Sequence, residues 1–511
     1  MRTSGSLRPS WLRAKSTTAL LTALVASAIA LAAAPAFAQS SIPPNLTKLR
    51  PIKCIAYDPK PSDFYQNAYF DSDFFNSDFT AIWGDDGKPG ARNDLKTFAD
   101  AKLSMLHLYD WNAQRTGHTA ALDAAQQLGI KVMVPISNFT AGTIVGNTPG
   151  CDKCPRGYQA AFDLVRGIFN QVYVAGSTTP HPAVAMWSIY NEYDLNKYNP
   201  VDVAFVAQAI LTLEDQAGIP AANRLPITTP VSDAMWSTQQ RSQAKLPREI
   251  DAALDRAARQ WLVTNPGKNV STPNPADLPG GVLAILAVAN ALSDGQTRTS
   301  FRSMFDAAGP VTVSAVPADF WKTRWIASTN PFRTGQALEE YLTSATQFQS
   351  AFPGTTAFNT LPPLFFGEMG RSQKDTRYFL HPAPSGYTPP PEYDPPPCDS
   401  ACLAAQASWV LEQIRSTDPL AKNASTPQGY FLGSCFFQHT LVDTSNYQAF
   451  DRTGKFSMRA AAAGAPFPAA GQEWRVDVLT PLPVWSSVTQ GYATALEDDL
   501  PPDDELADEK Q

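Results

Sequence analysis

Histidine is scarce in this chain. The five residues, at 107, 118, 181, 381 and 439, never fall at the His-x-x-x-His spacing that sets two imidazoles on one helix face, so metal-assisted hydrolysis of that type is not expected, nor is any other cofactor. No Gly-x-Ser-x-Gly elbow occurs, which leaves a serine hydrolase without its nucleophile. No glycine-rich phosphate loop follows the first strand candidate, so an open dinucleotide-binding sheet lacks its anchor. Positive charge is also in deficit: 40 Lys and Arg stand against 47 Asp and Glu, a net of -7. An acidic surface repels phosphate backbones and anionic lipid, which argues against nucleic acid or a membrane surface as partner.

Long apolar runs are confined to the amino-terminal stretch. Arg2, Arg8, Arg13 and Lys15 precede an apolar segment from Ala19 to Ala33, and Ala36-Phe-Ala38 has the small-x-small pattern of a cleavage site. Residues 1–38 therefore read as a signal peptide, with the mature chain starting near Gln39 and no Cys beside the cut to carry a lipid. Losing four basic residues takes the formal charge to about -11. No later run reaches the roughly eighteen apolar residues that cross a bilayer. The expected product is exported, periplasmic or extracellular, without a membrane span.

Six cysteines remain. In an oxidising compartment Cys151–Cys154 and Cys398–Cys402 are expected as local disulfides that pin loops; a four-Cys zinc site is the alternative. Cys54 and Cys435 lie in apolar strand-like runs and are expected as buried thiols, unless their strands prove to be neighbours.

Strand and helix patterns alternate along most of the mature chain. Strand candidates are Ile52–Tyr57, Leu103–Tyr109, Ile130–Ile136, the run from Ala183, Leu225–Val231, Lys322–Ser328, Pro363–Gly367 and Gly429–Phe437. Helical patterns cover Asn93–Ala101, Thr119–Leu128, Tyr158–Val174, Val201–Ala217, Gln336–Phe348 and Leu403–Ile414. Eight strands separated mostly by helices predict a (β/α)8 TIM barrel over residues 39–465. Residues 234–318 interrupt the rhythm and read as a helical insertion after strand five, on the rim that carries the site. Residues 466–511 form a carboxyl-terminal extension with an acidic tail, expected to be disordered because like charges cannot bury a core.

Barrel chemistry sits where strands end. The fourth run, Ala183-Val-Ala-Met-Trp-Ser-Ile-Tyr-Asn-Glu, switches from apolar to polar at Asn191 and Glu192, and the seventh delivers Glu368. Trp187-Ser-Ile-Tyr-Asn191-Glu192 together with Phe365-Phe-Gly-Glu368-Met-Gly resembles the (β/α)8-barrel glycoside hydrolases of clan A. Ile52-Lys-Cys-Ile-Ala-Tyr-Asp58 and Leu106-His-Leu-Tyr109-Asp110 are similar to the β-1,3-glucanases and β-1,3-glucanosyltransferases of that clan. The resemblance implies a retaining double displacement on a β-glucan, with Glu368 as nucleophile, Glu192 as acid and then base, and Asn191 donating to the sugar 2-hydroxyl. Two carboxyls about 5 to 5.5 Å apart resist joint ionisation, so Glu192 is expected to be held protonated.

Tyr57, Tyr109, Trp111, Tyr190, Tyr193, Asn330 and Phe332 fall near strand ends and are the candidate substrate contacts, with Trp83 a further aromatic from the first loop. Aromatic faces suit the C–H faces of a pyranose. His107, on strand two, is either a cleft-lining or a satisfied interior group. Two departures stand out: after strand six the chain reads Ser328-Thr-Asn330-Pro-Phe where many relatives place a Tyr or His against the nucleophile, and strand eight ends in Phe436 and Phe437 where a Trp is often found. The expected partner is a poly- or oligosaccharide acted on by a monomer. Transglycosylation by the same residues and an inactive glycan-binding barrel are the competing functions.

Overall fold

Eight short runs, none longer than six residues, pair side by side in sequence order and close on themselves. They are β1 (Ile52–Ala56), β2 (Met105–His107), β3 (Lys131–Ile136), β4 (Val184–Ile189), β5 (Ile227–Ser232), β6 (Trp325–Asn330), β7 (Leu364–Met369) and β8 (Phe431–Phe436). Every neighbouring pair is parallel, and β8 returns to β1 to complete a barrel. The structure is a computed structural model. It describes residues 46, 48–59, 73–84, 92–115, 117–146, 156–174, 176–196, 198–232, 288, 291–292, 301, 314–317, 319–334, 338, 363–380, 398–417, 431–440, 447–459 and 473–494. The leader, the Cys151–Cys154 pair, all of the expected Gln336–Phe348 helix but Leu338, most of the insertion and the acidic tail lie outside the described residues.

Strand periodicity divides the apolar residues into two cores. Ile52, Cys54, Met105, Met133, Met186, Ile326, Phe365, Leu432 and Cys435 form an inner cluster that fills the barrel. Ile55, Leu106, Val132, Val134, Trp187, Ile227, Trp325 and Phe366 point outward into a larger shell shared with the helices. Three methionines at the centre suit an irregular space, because an unbranched thioether adapts its shape.

Cys54 and Cys435 are register partners across the β1–β8 seam and are joined by a disulfide, across a sequence separation of 381. This corrects the expectation of two buried thiols. The first and last strands of a closed barrel must be neighbours, which brings the exception into force. Cys398 and Cys402 are also bonded, as expected.

The described helices are α1 (Thr80–Trp83), α2 (Asp94–Asp100), α3 (His118–Gln127), α4 (Asn138–Val145), α5 (Tyr158–Val172), α6 (Pro200–Gln216), α7 (Phe320–Thr323), α8 (Gln373–Leu380), α9 (Ser400–Ser416) and α10 (Pro483–Thr494). Helix α6 starts where Asn199 accepts from the Val201 N–H, with Pro200 in the first turn. It is buried nearly all round, so its polar groups need partners. Tyr158 donates to Asp202 at 2.8 Å, Gln208 to the Ser314 carbonyl at 2.8 Å, and Arg324 forks onto Glu214 at 2.8 and 3.0 Å. Phe301 packs edge-on against Phe205. The described end of the insertion thus covers the outer face of α6.

Most strand boundaries moved by one to three residues, and two of the shifts have a visible cause or consequence. Strand six begins at Trp325 because Phe320–Thr323 completes a helical turn and Arg324 is drawn to Glu214. Strand seven runs on through Glu368 to Met369. Beyond β8, an antiparallel hairpin of β9 (Phe450–Arg459) and β10 (Glu473–Pro481) leads to α10. Tyr492 of α10 donates to the Ser434 carbonyl at 2.9 Å, and a Cβ on Gly491 would meet Ile414 of α9 at 2.9 Å. The helix is therefore seated on the last strand, in a stretch where the sequence pattern shows no element.

Candidate active site

At the end of β4 the chain turns twice through the left-handed region, at Tyr190 (φ 55°) and Glu192 (φ 49°). Each such residue costs of order 1 kcal/mol and persists only when its surroundings hold it. Here they do. The Tyr190 N–H reaches the Ile136 carbonyl at 2.8 Å and the Glu192 N–H reaches the Pro230 carbonyl at 2.9 Å. Asn138, the first residue of α4, accepts from the Asn191 N–H at 2.9 Å and donates back to its carbonyl at 3.1 Å. Asp194 accepts from the Ser232 hydroxyl at 2.6 Å, clamping the turn to β5. The double turn swings the Tyr190 side chain into the shell and leaves Asn191 and Glu192 at the mouth.

Glu368 approaches the same mouth from β7, with 4% of its surface exposed. Its Oε1 accepts two hydrogen bonds, from the Tyr109 hydroxyl at 2.6 Å and the Asn191 amide at 2.9 Å. Donors of this kind favour the ionised carboxylate. Burial, and then the nearby charge of Glu368, push the Tyr109 phenol well above its ordinary value, with Glu192 and Asp58 adding to the rise. Tyr109 therefore remains a neutral donor. Behind it, His107 lies against the Tyr109 ring at 4.6 Å, and its Nδ1 bonds the Gly367 carbonyl at 3.0 Å. Burial lowers the imidazole to about 4, so it stays uncharged at neutral pH.

From β6, the fully buried Asn330 donates through Nδ2 to Glu192 Oε1 at 3.0 Å and to Asn191 Oδ1 at 3.3 Å. Gly367 makes room for it: a Cβ there would stand 2.7 Å from Asn330 Oδ1 and 2.9 Å from Ser328 Oγ. An unbroken hydrogen-bonded path thus links Glu368, Asn191, Asn330 and Glu192 at one end of the barrel. The phenol of Tyr109 senses both carboxylates.

Glu192, Glu368, Asn191, Tyr109 and Asn330 are brought together; most of the aromatic candidates are not. Tyr57 is 1% exposed and donates to Asp94 at 2.9 Å. Trp111 stacks on His118 at 4.2 Å and donates to Gln171. Tyr190, Tyr193 and Trp83 are likewise buried. A ring without an exposed face offers no platform, so these five are corrected to core residues. Their nearness to strand ends was legible, but not the direction in which each ring turns. Phe332 does stand half-buried at the rim, its ring 6.3 Å from Phe437 and 5.4 Å from Tyr447, while Phe437 meets Tyr109 edge-on at 6.3 Å. Tyr447 and Asn138 were missed. Neither carries a signal in its own neighbourhood, since both act by tertiary contact. Among the described residues no group of three or more side chains could hold a metal ion, and no helix is long and apolar enough to cross a membrane.

No protein-family model matches the chain, and no curated protein does. Solved structures do. Two structures of Gas2 are similar, one in complex with compound 8 (11% identity, TM-score 0.42, covering 90% of this chain and 66% of that one). The other, Saccharomyces cerevisiae Gas2p in complex with laminaripentaose, gives 10% identity and a TM-score of 0.41, over 89% of this chain and 67% of that one. AbfB, a family 51 α-L-arabinofuranosidase from Bifidobacterium longum, is similar at 11% identity and a TM-score of 0.39, over 89% and 74% of the two chains. The chain spans about two thirds of the length of Gas2.

Proposed function

We propose that this chain is a retaining glycoside hydrolase of clan A that cleaves a β-glucan. The β-1,3 linkage follows the resemblance of its first two strand ends. The observation that carries the proposal is the path Glu368–Asn191–Asn330–Glu192, which joins two carboxylates from β7 and β4 at one mouth. Glu368, with two neutral donors on Oε1, is the nucleophile: its carboxylate attacks the anomeric carbon as Glu192 protonates the departing glycosidic oxygen. Glu192, now ionised, then takes the proton of water, whose oxygen displaces Glu368 from the sugar. Net retention results. Tyr109 and Asn191 stabilise the carboxylate of Glu368 as it leaves, and Asn191 also reaches the 2-hydroxyl, where donors strengthen as charge grows on the ring. Phe332, Phe437 and Tyr447 supply the aromatic rim for a pyranose face.

Transglycosylation replaces water with a sugar hydroxyl and uses the same groups; the aromatic rim, which can seat an acceptor, favours keeping it open. Presence of both glutamates opposes an inactive binding barrel. The two disulfides fit export into an oxidising compartment. The test is turnover of β-1,3-, β-1,4- and mixed-linkage glucans, with product-length analysis, by the wild type and by Glu192→Gln and Glu368→Gln. Each variant should lose about 10³-fold or more while keeping the fold. Near wild-type turnover in either rejects the assignment.

A further inference from the structure

The ladder between β3 and β4 makes its last backbone rung where the Tyr190 N–H meets the Ile136 carbonyl at 2.8 Å, just past the Ile136–Ile189 register pair. After Ser137 the chain turns into α4 at Asn138, so its backbone leaves the sheet before it can flank residue 191. The Asn138 side chain takes its place. A carboxamide carries the same acceptor and donor as a peptide group. Here Oδ1 accepts from the Asn191 N–H at 2.9 Å, and Nδ2 donates to the Asn191 carbonyl at 3.1 Å. Both atoms are matched, and that fixes the sense of the amide. Aspartate would bring no donor at neutral pH, serine one polar atom instead of two, and glutamine an extra methylene that overshoots.

We propose that Asn138 is a positioning residue whose amide extends β3 by one side-chain rung, fixing the backbone of Asn191 and, through it, the amide that Asn191 donates to Glu368. The inference rests on the glycosidase reading of Glu368. Asn191 sits between two left-handed residues, Tyr190 (φ 55°) and Glu192 (φ 49°). A peptide in that position relaxes unless both of its faces are held.

The two neighbours are anchored differently. Glu192 has backbone ties of its own: its N–H reaches the Pro230 carbonyl at 2.9 Å, and its carbonyl accepts from Asn196 at 3.0 Å. The same Asn196 amide reaches the Asn191 carbonyl at 3.0 Å, so that carbonyl has two donors. The Asn191 N–H is held by Asn138 Oδ1. Losing that bond therefore frees Asn191 rather than Glu192. Its peptide can then rotate, and its Nδ2 leaves Glu368 Oε1, from which it stands 2.9 Å in the intact site. A donor displaced by an ångström no longer meets the carboxylate as the bond to sugar forms and breaks, which lowers kcat more than it weakens binding.

Two readouts test this, one without substrate. Hydrogen exchange at the Asn191 N–H, read by mass spectrometry on nested peptides that end at that residue, should quicken by about 100-fold or more in Asn138→Ala. In Asn138→Asp, which keeps an acceptor for that N–H at a position that favours acidic residues, most of the protection should return. On a 4-nitrophenyl β-laminaribioside, Asn138→Ala should lower kcat about 10- to 100-fold with KM within about 3-fold of wild type. Adding Asn138→Ala to Asn191→Ala should cost less than about 3-fold more, because the route through the Asn191 side chain is already gone. Unchanged exchange in folded Asn138→Ala, equal exposure in Asn138→Asp, or full additivity of the two kcat losses overturns the proposal. If instead Glu192→Gln and Glu368→Gln keep full turnover while the exchange behaves as described, the glycosidase reading fails and the tether from Asn138 to Asn191 stands.

Discussion

Two buried glutamates of this barrel are held in opposite ways. Glu214, in the helical shell, is forked by the Arg324 guanidinium, whose Nε also binds the Leu225 carbonyl at 3.0 Å. Glu368, at the mouth, is held by a phenol and an amide, both neutral. A cation cancels the charge of its partner and makes a fixed strut. Neutral donors leave the charge in place, as the proposed nucleophile requires. Even so, burial keeps Glu214 raised to about 6, its desolvation outweighing the arginine.

The sharpest way to break this comparison is to make one change in both places. Glu368→Gln should remove about 10³-fold or more of turnover with little loss of stability. Glu214→Gln should leave turnover nearly intact but cost about 3 to 5 kcal/mol in urea unfolding, because Arg324 is left buried without its counter-charge. Equal effects on activity would erase the distinction.

Tyr109→Phe is a smaller step. Losing one hydroxyl donor to a charged oxygen should lower kcat about 10- to 100-fold at unchanged stability, read in steady-state kinetics. An unaffected kcat would remove the phenol from the transition state.

Smaller still is a pH effect on stability. His107 has a folded pKa of about 4, below its unfolded value, so the unfolded chain binds a proton that the folded chain refuses. Its contribution is present above the unfolded pKa of about 6.5 and is lost as pH falls towards 4, up to about 3 kcal/mol. Asp202 and Glu214, both raised to about 6, have the reverse sign and favour folding as pH falls through that value. The His107→Asn protein should therefore gain on the wild type as pH drops from 7 to 4, in paired unfolding curves. Parallel curves would place His107 in a wetter setting than the barrel interior.

The barrel was legible because parallel strands buried on both faces leave long apolar runs, and the helices between them keep their stripes. Asn191, Glu192 and Glu368 were legible for a related reason: a run that turns polar marks a strand end. Side-chain direction was not. The left-handed turn at Tyr190 rotates its ring into the shell, and nothing in the local sequence distinguishes it from the half-buried Phe332. The Cys54–Cys435 bond needed the register of first and last strands, which closure alone supplies. Helix α10 was obscured because it follows a hairpin and recovers its apolar face only by packing on α9 and β8.

Covalent trapping tests the central claim most directly. The protein is treated with a 2-deoxy-2-fluoro-β-glycosyl fluoride, which forms the glycosyl-enzyme faster than water releases it, then digested and mapped by mass spectrometry. A sugar attached at Glu368, and at no other residue, is the predicted result. A label on another side chain, or none in protein that turns over the unfluorinated glycoside, would contradict the double displacement.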